Sequence, residues 1–269
     1  MIKKIFLLLG ITLLSCSPCL AQGKINIGGS TTLLPIAQKM VEVYMSKYPD
    51  VEISISGSGS GDGLKALMEG SIDIANSSRG LKEKEAQSAQ QGGFELIPHS
   101  VAIDCIVPVV NPGNPVTGLS LEQLKNIYNG QIKNWQEVGG VDKSIVVISR
   151  DFSSGTFETW QEKVLGADRI RPDAQMQSSN GGVAKSVANN QYAVGYVGIG
   201  YITDKLKALT VEGVVPSVSS AKDGSYPLSR YLYMFTKGQP SGVVKDFLDF
   251  VKDKQGQEIV ETEGFVAAY

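Results

Sequence analysis

At 269 residues, with 42% hydrophobic and 19% charged side chains, the chain has the make-up of a soluble globular protein with material for one large or two medium domains. Its formal charge of −2 is neither an acidic nor a basic extreme, so composition argues for no nucleic-acid partner and no membrane-surface partner.

The N-terminus differs from the rest. Lys3 and Lys4 precede an apolar run at 5 to 14, followed by small and polar residues with Cys16 and Cys19, the pattern of a secretory signal peptide over 1–21. The run is too short to span a bilayer, which takes about twenty residues. "LLSC" at 13 to 16 reads as a lipobox that would lipidate Cys16; "CLA" offers a competing cleavage after Ala21. Either way the protein is exported, to the periplasm or cell envelope, with or without a lipid anchor. Without this leader only Cys105 remains, so no internal disulfide forms, and Cys105 reads as a buried small apolar residue. Losing two lysines takes the formal charge from −2 to about −4, so an anionic ligand has to be attracted locally.

Next, "KINIGGS" (24–30) alternates like a strand, and Leu33, Ala37, Met40, Val41, Tyr44 and Tyr48 recur at helical spacing until Pro49. "VEISIS" (51–56) and "IDIANSS" (72–78) repeat the strand pattern, the first followed by a glycine-rich turn and helix, the second by a charged helix at 81–91. Strands alternating with helices predict an α/β fold with a largely parallel sheet. The long apolar β-type run 94–111 reads as a crossing into a second domain. That domain holds helices at 119–130, 156–166 and 183–190 and strands at 144–150 and 192–201. A strand at 226–236 and helices at 241–252 and 255–263 return to complete the first. The predicted division is 24–103 plus 227–269 against 104–226.

Three strand-to-helix junctions share one chemistry: "GGSTTLLP" (28–35), "SGSGSGDG" (56–63) and "SRDFSSGT" (149–156); "SSNGG" (178–182) is a weaker fourth. The first N–H groups of a helix lack intrahelical acceptors and carry partial positive charge, so a tetrahedral oxyanion can take them up. Ser and Thr add hydroxyls, and Gly admits the ligand to the backbone. Each junction alone reads more readily as an N-cap and a turn. Three together, one carrying Arg150 at the end of an apolar strand, favour an anion site with a guanidinium fork. Micromolar binding takes about 8 kcal/mol; at roughly 1.5–3 kcal/mol per charged hydrogen bond, fewer than about four donors fall short.

Other chemistries fit less well. The turn at 57–63 is neither a Walker-type loop nor G-x-G-x-x-G, and Ser58 and Ser60 lack the glycine two residues before that a nucleophile elbow needs. His99, the single histidine, has no second histidine with which to make a metal site and reads as structural or solvent-facing.

In these motifs, and in "LSLEQLKNIYNGQIKNWQEVGG" (119–140), where Trp135 reads as packing, the chain from about Lys24 onward resembles the phosphate-binding proteins of Pst-type ABC transporters. The resemblance implies a two-lobed type II periplasmic-binding-protein fold, each lobe a β-sheet flanked by helices, with the ligand cleft between them. It implies a monomeric, non-enzymatic receptor that needs no cofactor and passes inorganic phosphate to ABC permease subunits of the cytoplasmic membrane. It assigns phosphate to Thr31, Thr32, Ser60, Ser78, Arg150, Ser154, Gly155 and Thr156. At Ser78 well-known members carry an aspartate, whose carboxylate accepts the proton of hydrogen phosphate and repels sulfate. With Ser78 there, sulfate, molybdate or tungstate remain alternatives, as does, more remotely, an exported phosphate-ester hydrolase. Asp62 or Asp151 are substitute acceptors, and Arg79 either meets the anion or pairs with Asp62.

Overall fold

A computed structural model describes residues 23–269. The predicted leader, with its Cys16 lipidation and Ala21 cleavage readings, lies outside the described residues.

The chain opens with strand β1 (Gly23–Gly29), helix α1 (Leu34–Lys47), β2 (Val51–Ile55), α2 (Ser60–Glu69), β3 (Ile74–Ser77) and α3 (Glu83–Gln91). The 15-residue strand β4 (Leu96–Val110) follows, then β5 (Gly118–Leu119), α4 (Leu121–Asn129), β6 (Val146–Arg150) and α5 (Gly155–Trp160). The next segment is β7 (Gln175–Gln177), α6 (Asn180–Ala188), β8 (Ala193–Gly198), β9 (Lys207–Ala208), β10 (Thr210–Val211) and α7 (Val218–Lys222). It closes with β11 (Ser229–Lys237), α8 (Gly242–Lys252), α9 (Lys254–Thr262) and β12 (Val266–Ala267).

Periodicity explains most of these. In α1 the buried set Ile36, Ala37, Met40, Val41 and Tyr44 forms one stripe, as a 3.6-residue repeat requires, and Pro35 is tolerated in the first turn, where its missing N–H would have no partner. The expected helix at 183–190 begins earlier, at Asn180, because Ser179 caps it by accepting from Gly182 N; Gly181 and Gly182 are weak helix formers and delay the periodic signal. The expected 156–166 helix runs as α-helix to Trp160 and as one π turn over Gln161–Leu165.

The main sheet has the order β2-β1-β3-β11-β4-β8-β6-β7. The largely parallel sheet expected from the βα alternation holds only toward its two ends, where β1 pairs in parallel with β2 and β3, and β6 with β7 and β8. In the middle β11 is antiparallel to both β3 and β4, and β4 is antiparallel to β8. The reason is connectivity: β4 and β11 carry the chain between two halves rather than through βαβ units. β4 pairs with β11 from Leu96 to Cys105 and with β8 from Ile106 to Val110. It changes partner in mid-strand.

Each half has its own core. Around β1, α1, α8 and α9, the buried Ile25, Ile27, Met40, Phe247, Leu248 and Val260 pack together, so the C-terminal helices complete the first half. Leu64, Leu67, Ala75, Ala89 and Phe235 fill the opposite face of that sheet. In the second half Tyr128, Trp135, Trp160 and Tyr196 anchor the core; Trp160 and Tyr196 stack with ring centroids 4.2 Å apart. Trp135 is a packing residue whose Nε1 donates to Tyr192 O. Cys105 is fully buried, and burial, then the Asp104 charge, pushes its thiol up to about 12.

His99 is buried on β4. Lys252 Nζ lies 3.1 Å from Nδ1 and Thr236 Oγ1 3.0 Å from Nε2. An ammonium only donates, so Nδ1 accepts and Nε2–H donates to Thr236, whose hydroxyl donates to Gly238 O. Burial first, and the Lys252 charge second, lower the imidazole from 6.5 to about 4. Below pH 6.5 the unfolded chain binds a proton that the native state refuses until about pH 4. This contribution to stability is therefore complete above pH 6.5 and is lost as pH falls through 4. The melting temperature is expected to drop on acidification across that window, by less in His99→Gln than in the parent, as calorimetric scans at stepped pH will measure.

Candidate functional site

Four turns meet where the halves touch. The first follows β1: Ser30 N donates to Asn76 O, Ser30 Oγ accepts from Thr32 N, and Thr31 and Thr32 are left buried at the entrance to α1. The second precedes α2. Gly59, with φ of +109°, is the residue before the helix, a backbone that side-chain-bearing residues rarely adopt. A Cβ there would also lie 2.8 Å from Ser153 O across the interface. Ser60, the first residue of α2, is fully buried; its Oγ accepts from Ser78 N at 3.0 Å and lies 3.2 Å from Ser78 Oγ.

The third turn starts α5. Ser154 caps it by accepting from Phe157 N, which leaves its own hydroxyl hydrogen free to donate. The N–H groups of Gly155 and Thr156 stand at the first helical positions, beyond the reach of intrahelical acceptors. Gly155 faces Ser60 and Ser78 so closely that a Cβ would lie 2.7 Å from Ser78 Oγ. Thr156 Oγ1 lies 2.9 Å from Thr32 Oγ1, a residue of the other half. In the fourth turn Asn180, the first residue of α6, donates through Nδ2 to Thr31 Oγ1 and Thr32 Oγ1 at 3.1 and 3.0 Å.

Arg150 ends β6 with 1% exposure. Its Nε donates to Gln177 O and its Nη2 to Ser178 O, with Asp151 Oδ2 at 3.5 Å. These two carbonyls belong to the stretch that leads into α6, so the guanidinium is oriented beside Asn180 rather than bonded to the hydroxyls. Burial lowers its affinity for its proton, and the Asp151 charge opposes this.

The expected residues thus fall into two touching clusters, Thr31, Thr32 and Thr156 in one and Ser60, Ser78 and Gly155 in the other. Ser154 caps the helix between them, and Arg150 stands on the adjoining wall. Three further residues join them. Asn180 belongs to the junction read as the weak fourth. Arg230 on β11 donates to Thr156 Oγ1 at 2.9 Å and, more weakly, to Thr32 Oγ1 at 3.4 Å. It also grips Asp104 Oδ2 through Nε and Nη2 at 3.0 and 2.9 Å. Asp104 is the lone acid or base of Lys, Arg, Asp or Glu type in β4, and Arg230 the lone buried charge of β11, whose other charge, Lys237, is exposed at its end. That is the readable signal, since a charge in a buried strand must find a partner, but 126 positions separate them.

Arg79 does not reach Asp62. It forms a fork with Glu85 at 2.7–2.8 Å and an ion pair with Glu158 of the other half, which also holds Lys82 at 2.8 Å. Desolvation works against the Arg79 charge, but hydrogen bonds and charge from Glu85 and Glu158 outweigh it and raise its pKa. Asp151 spends Oδ1 on Ser153. Among the described residues no group of three His, Cys, Asp or Glu side chains is placed to hold a metal ion.

Known proteins place this arrangement in context. The profile of the periplasmic-binding-protein (PBP) superfamily domain matches residues 20–254. The phosphate-binding protein PstS of Bacillus subtilis is 36% identical over 248 residues, 91% of this chain and 81% of that one. A crystallised chain from Clostridium perfringens, assigned as a phosphate ABC transporter substrate-binding protein and holding phosphate, superposes with a TM-score of 0.86 at 34% identity, covering 92% of this chain and 100% of that one. An ABC-type phosphate transport receptor from Vibrio cholerae superposes with a TM-score of 0.74 at 33% identity, over 90% and 99% of the two chains. The mixed α/β architecture is therefore the periplasmic-binding-protein fold.

Because Gly155 lies against Ser60 and Ser78 across the junction, Gly155→Ala is expected to hold the halves apart. Small-angle scattering of the ligand-free variant will then give a larger radius of gyration than the parent, with the melting temperature of each core little changed.

Proposed function

The chain belongs to the family of Pst-type phosphate-binding proteins, and on that premise we propose that it binds inorganic phosphate between its two halves and delivers it to an ABC permease in the cytoplasmic membrane. The observation that carries the reading is the meeting of Thr32 with Thr156, and of Ser60 and Ser78 with Gly155, at buried turns from opposite halves. Hydroxyls and helix-start amides from both sides solvate the anion at once only when the halves are closed. Phosphate therefore draws the open-to-closed equilibrium toward closure.

In this reading Thr31, Thr32, Ser60 and Ser78 act from the first half and Arg150, Ser154, Gly155 and Thr156 from the second. The halves move as lobes, 24–103 plus 227–269 against 104–226, with β4 and β11 as the hinge. The protein works outside the cytoplasm, as a monomer, after export by its leader; Cys16 is the candidate lipid attachment point. It is a binding component rather than an enzyme.

Ser78 favours a second reading. A hydroxyl both accepts and donates, so Ser78 Oγ is able to take the proton of hydrogen phosphate but does not repel a fully ionised anion as a carboxylate would. Sulfate, molybdate or tungstate are then competing ligands.

Two outcomes are expected. Arg150→Ala weakens phosphate at least tenfold in isothermal titration calorimetry, and unchanged affinity removes this guanidinium from the site. In a thermal-shift panel phosphate raises the melting temperature of the parent, with about 2.7 kcal/mol of added stability at a hundred times Kd; a larger rise with sulfate, molybdate or tungstate transfers the assignment to that anion.

A further inference from the structure

We propose that Arg230 is a second guanidinium contact for the bound oxyanion, supplied from the hinge rather than from either helix-start cluster. The inference rests on the phosphate reading above and adds a residue to that site.

Three observations carry it. Arg230 sits directly opposite Asp104 in the antiparallel β4–β11 register, next to the position where β4 leaves β11 for β8. Its side chain is 5% exposed, and Nη2 touches the hydroxyls of Thr156 and Thr32, one from each half. Its other terminal nitrogen, Nη1, is buried with no hydrogen-bond partner among the described residues. A planar guanidinium holds its two terminal nitrogens in one fork. An oxyanion that engages the Thr32–Thr156 hydroxyl pair therefore lies within reach of Nη1.

Asp104 decides how the fork is aimed. Oδ2 takes both Nε and Nη2 of Arg230, while Oδ1 accepts from Ile199 N of the second half. Both carboxylate oxygens are thereby engaged within the protein, and Asp104 fixes Arg230 along the Nε edge, leaving the Nη1 side for a ligand. Anion, hydroxyl pair and hinge are joined through one side chain, so Arg230 meets its ligand fully only when the halves close around it. A purely structural ion pair would explain Nε and Nη2 but not the orphaned Nη1.

The test starts with parent protein titrated with inorganic phosphate by calorimetry. If neither phosphate nor sulfate binds, the functional reading itself falls, whatever Arg230 does. Given binding, Arg230→Lys, which keeps the charge but loses the fork, is expected to weaken phosphate at least tenfold. The double variant Arg230→Gln with Asp104→Asn, which leaves no unpaired buried charge, is expected to weaken it at least a hundredfold. If the double variant fails to fold, Arg230→Lys decides alone. In parent protein labelled at the arginine nitrogens, the guanidinium signal missing from Arg230→Lys gains protection from solvent exchange on addition of phosphate. Affinity within twofold of the parent in Arg230→Lys, or a guanidinium signal that phosphate leaves unaltered, overturns the proposal even if the melting temperature falls.

Discussion

The structure hangs on the way β4 and β11 lie side by side where the chain passes from one half to the other. β4 runs unbroken from its pairing with β11 to its pairing with β8, so one continuous strand joins the two halves. The turns described at the site follow strands β1, β2, β6 and β7 of the same sheet, which reach this pair through one or two neighbours. β1 and β3 lead to it through β11, and β6 leads to it through β8. On the proposed lobe motion, a small rotation at the crossing would move the four turns together. Backbone and side chain both cross the junction there, from Gly61 N to Ser153 O and from Ser153 Oγ to Ser58 O at about 3 Å.

Electrostatics follow from the same placement. The protein is net negative, and at physiological ionic strength charges beyond about 8 Å are largely screened. What an anion meets in the cleft is therefore decided by the few groups that line it. In the proposed site two guanidiniums, Arg150 and Arg230, stand close enough that the charge of Arg230 disfavours that of Arg150. Burial pushes the Asp104 carboxyl up and weakens the Arg230 charge, and each is opposed by the other. Glu158 serves instead at the rim, where Arg79 and Lys82 hold it across the junction.

Much of the proposed site is legible in the sequence because the anion chemistry it would use is local. A strand, a turn of Gly and Ser or Thr, and a helix start lie within a dozen residues, so the junctions holding Thr31, Thr32, Ser60, Ser154, Gly155 and Thr156 announce themselves without any knowledge of the fold. The α/β alternation and the return of the C-terminal helices to the first core follow from periodicity in the same way. What periodicity cannot carry is pairing between distant strands. The antiparallel centre of the sheet depends on β11 entering between β3 and β4, and the Asp104–Arg230 pair depends on their register. Arg79 misled for a related reason: its partners Glu85 and Glu158 lie 6 and 79 positions away, whereas Asp62 is merely the acid of the neighbouring motif. The start of α6 precedes its periodic signal because two glycines hide a helix that a serine cap has already begun.

Cys105 adds one more consequence. It stands between the carboxylate at the pivot and the residue where β4 changes partner, so a bulky adduct or an oxidised sulfur there would wedge the crossing open. Full burial and a thiol that stays protonated at any physiological pH keep thiolate chemistry away from it. The crossing between the halves is thus poor in thiolate chemistry, and the proposed hinge would be insulated from the redox state of its surroundings.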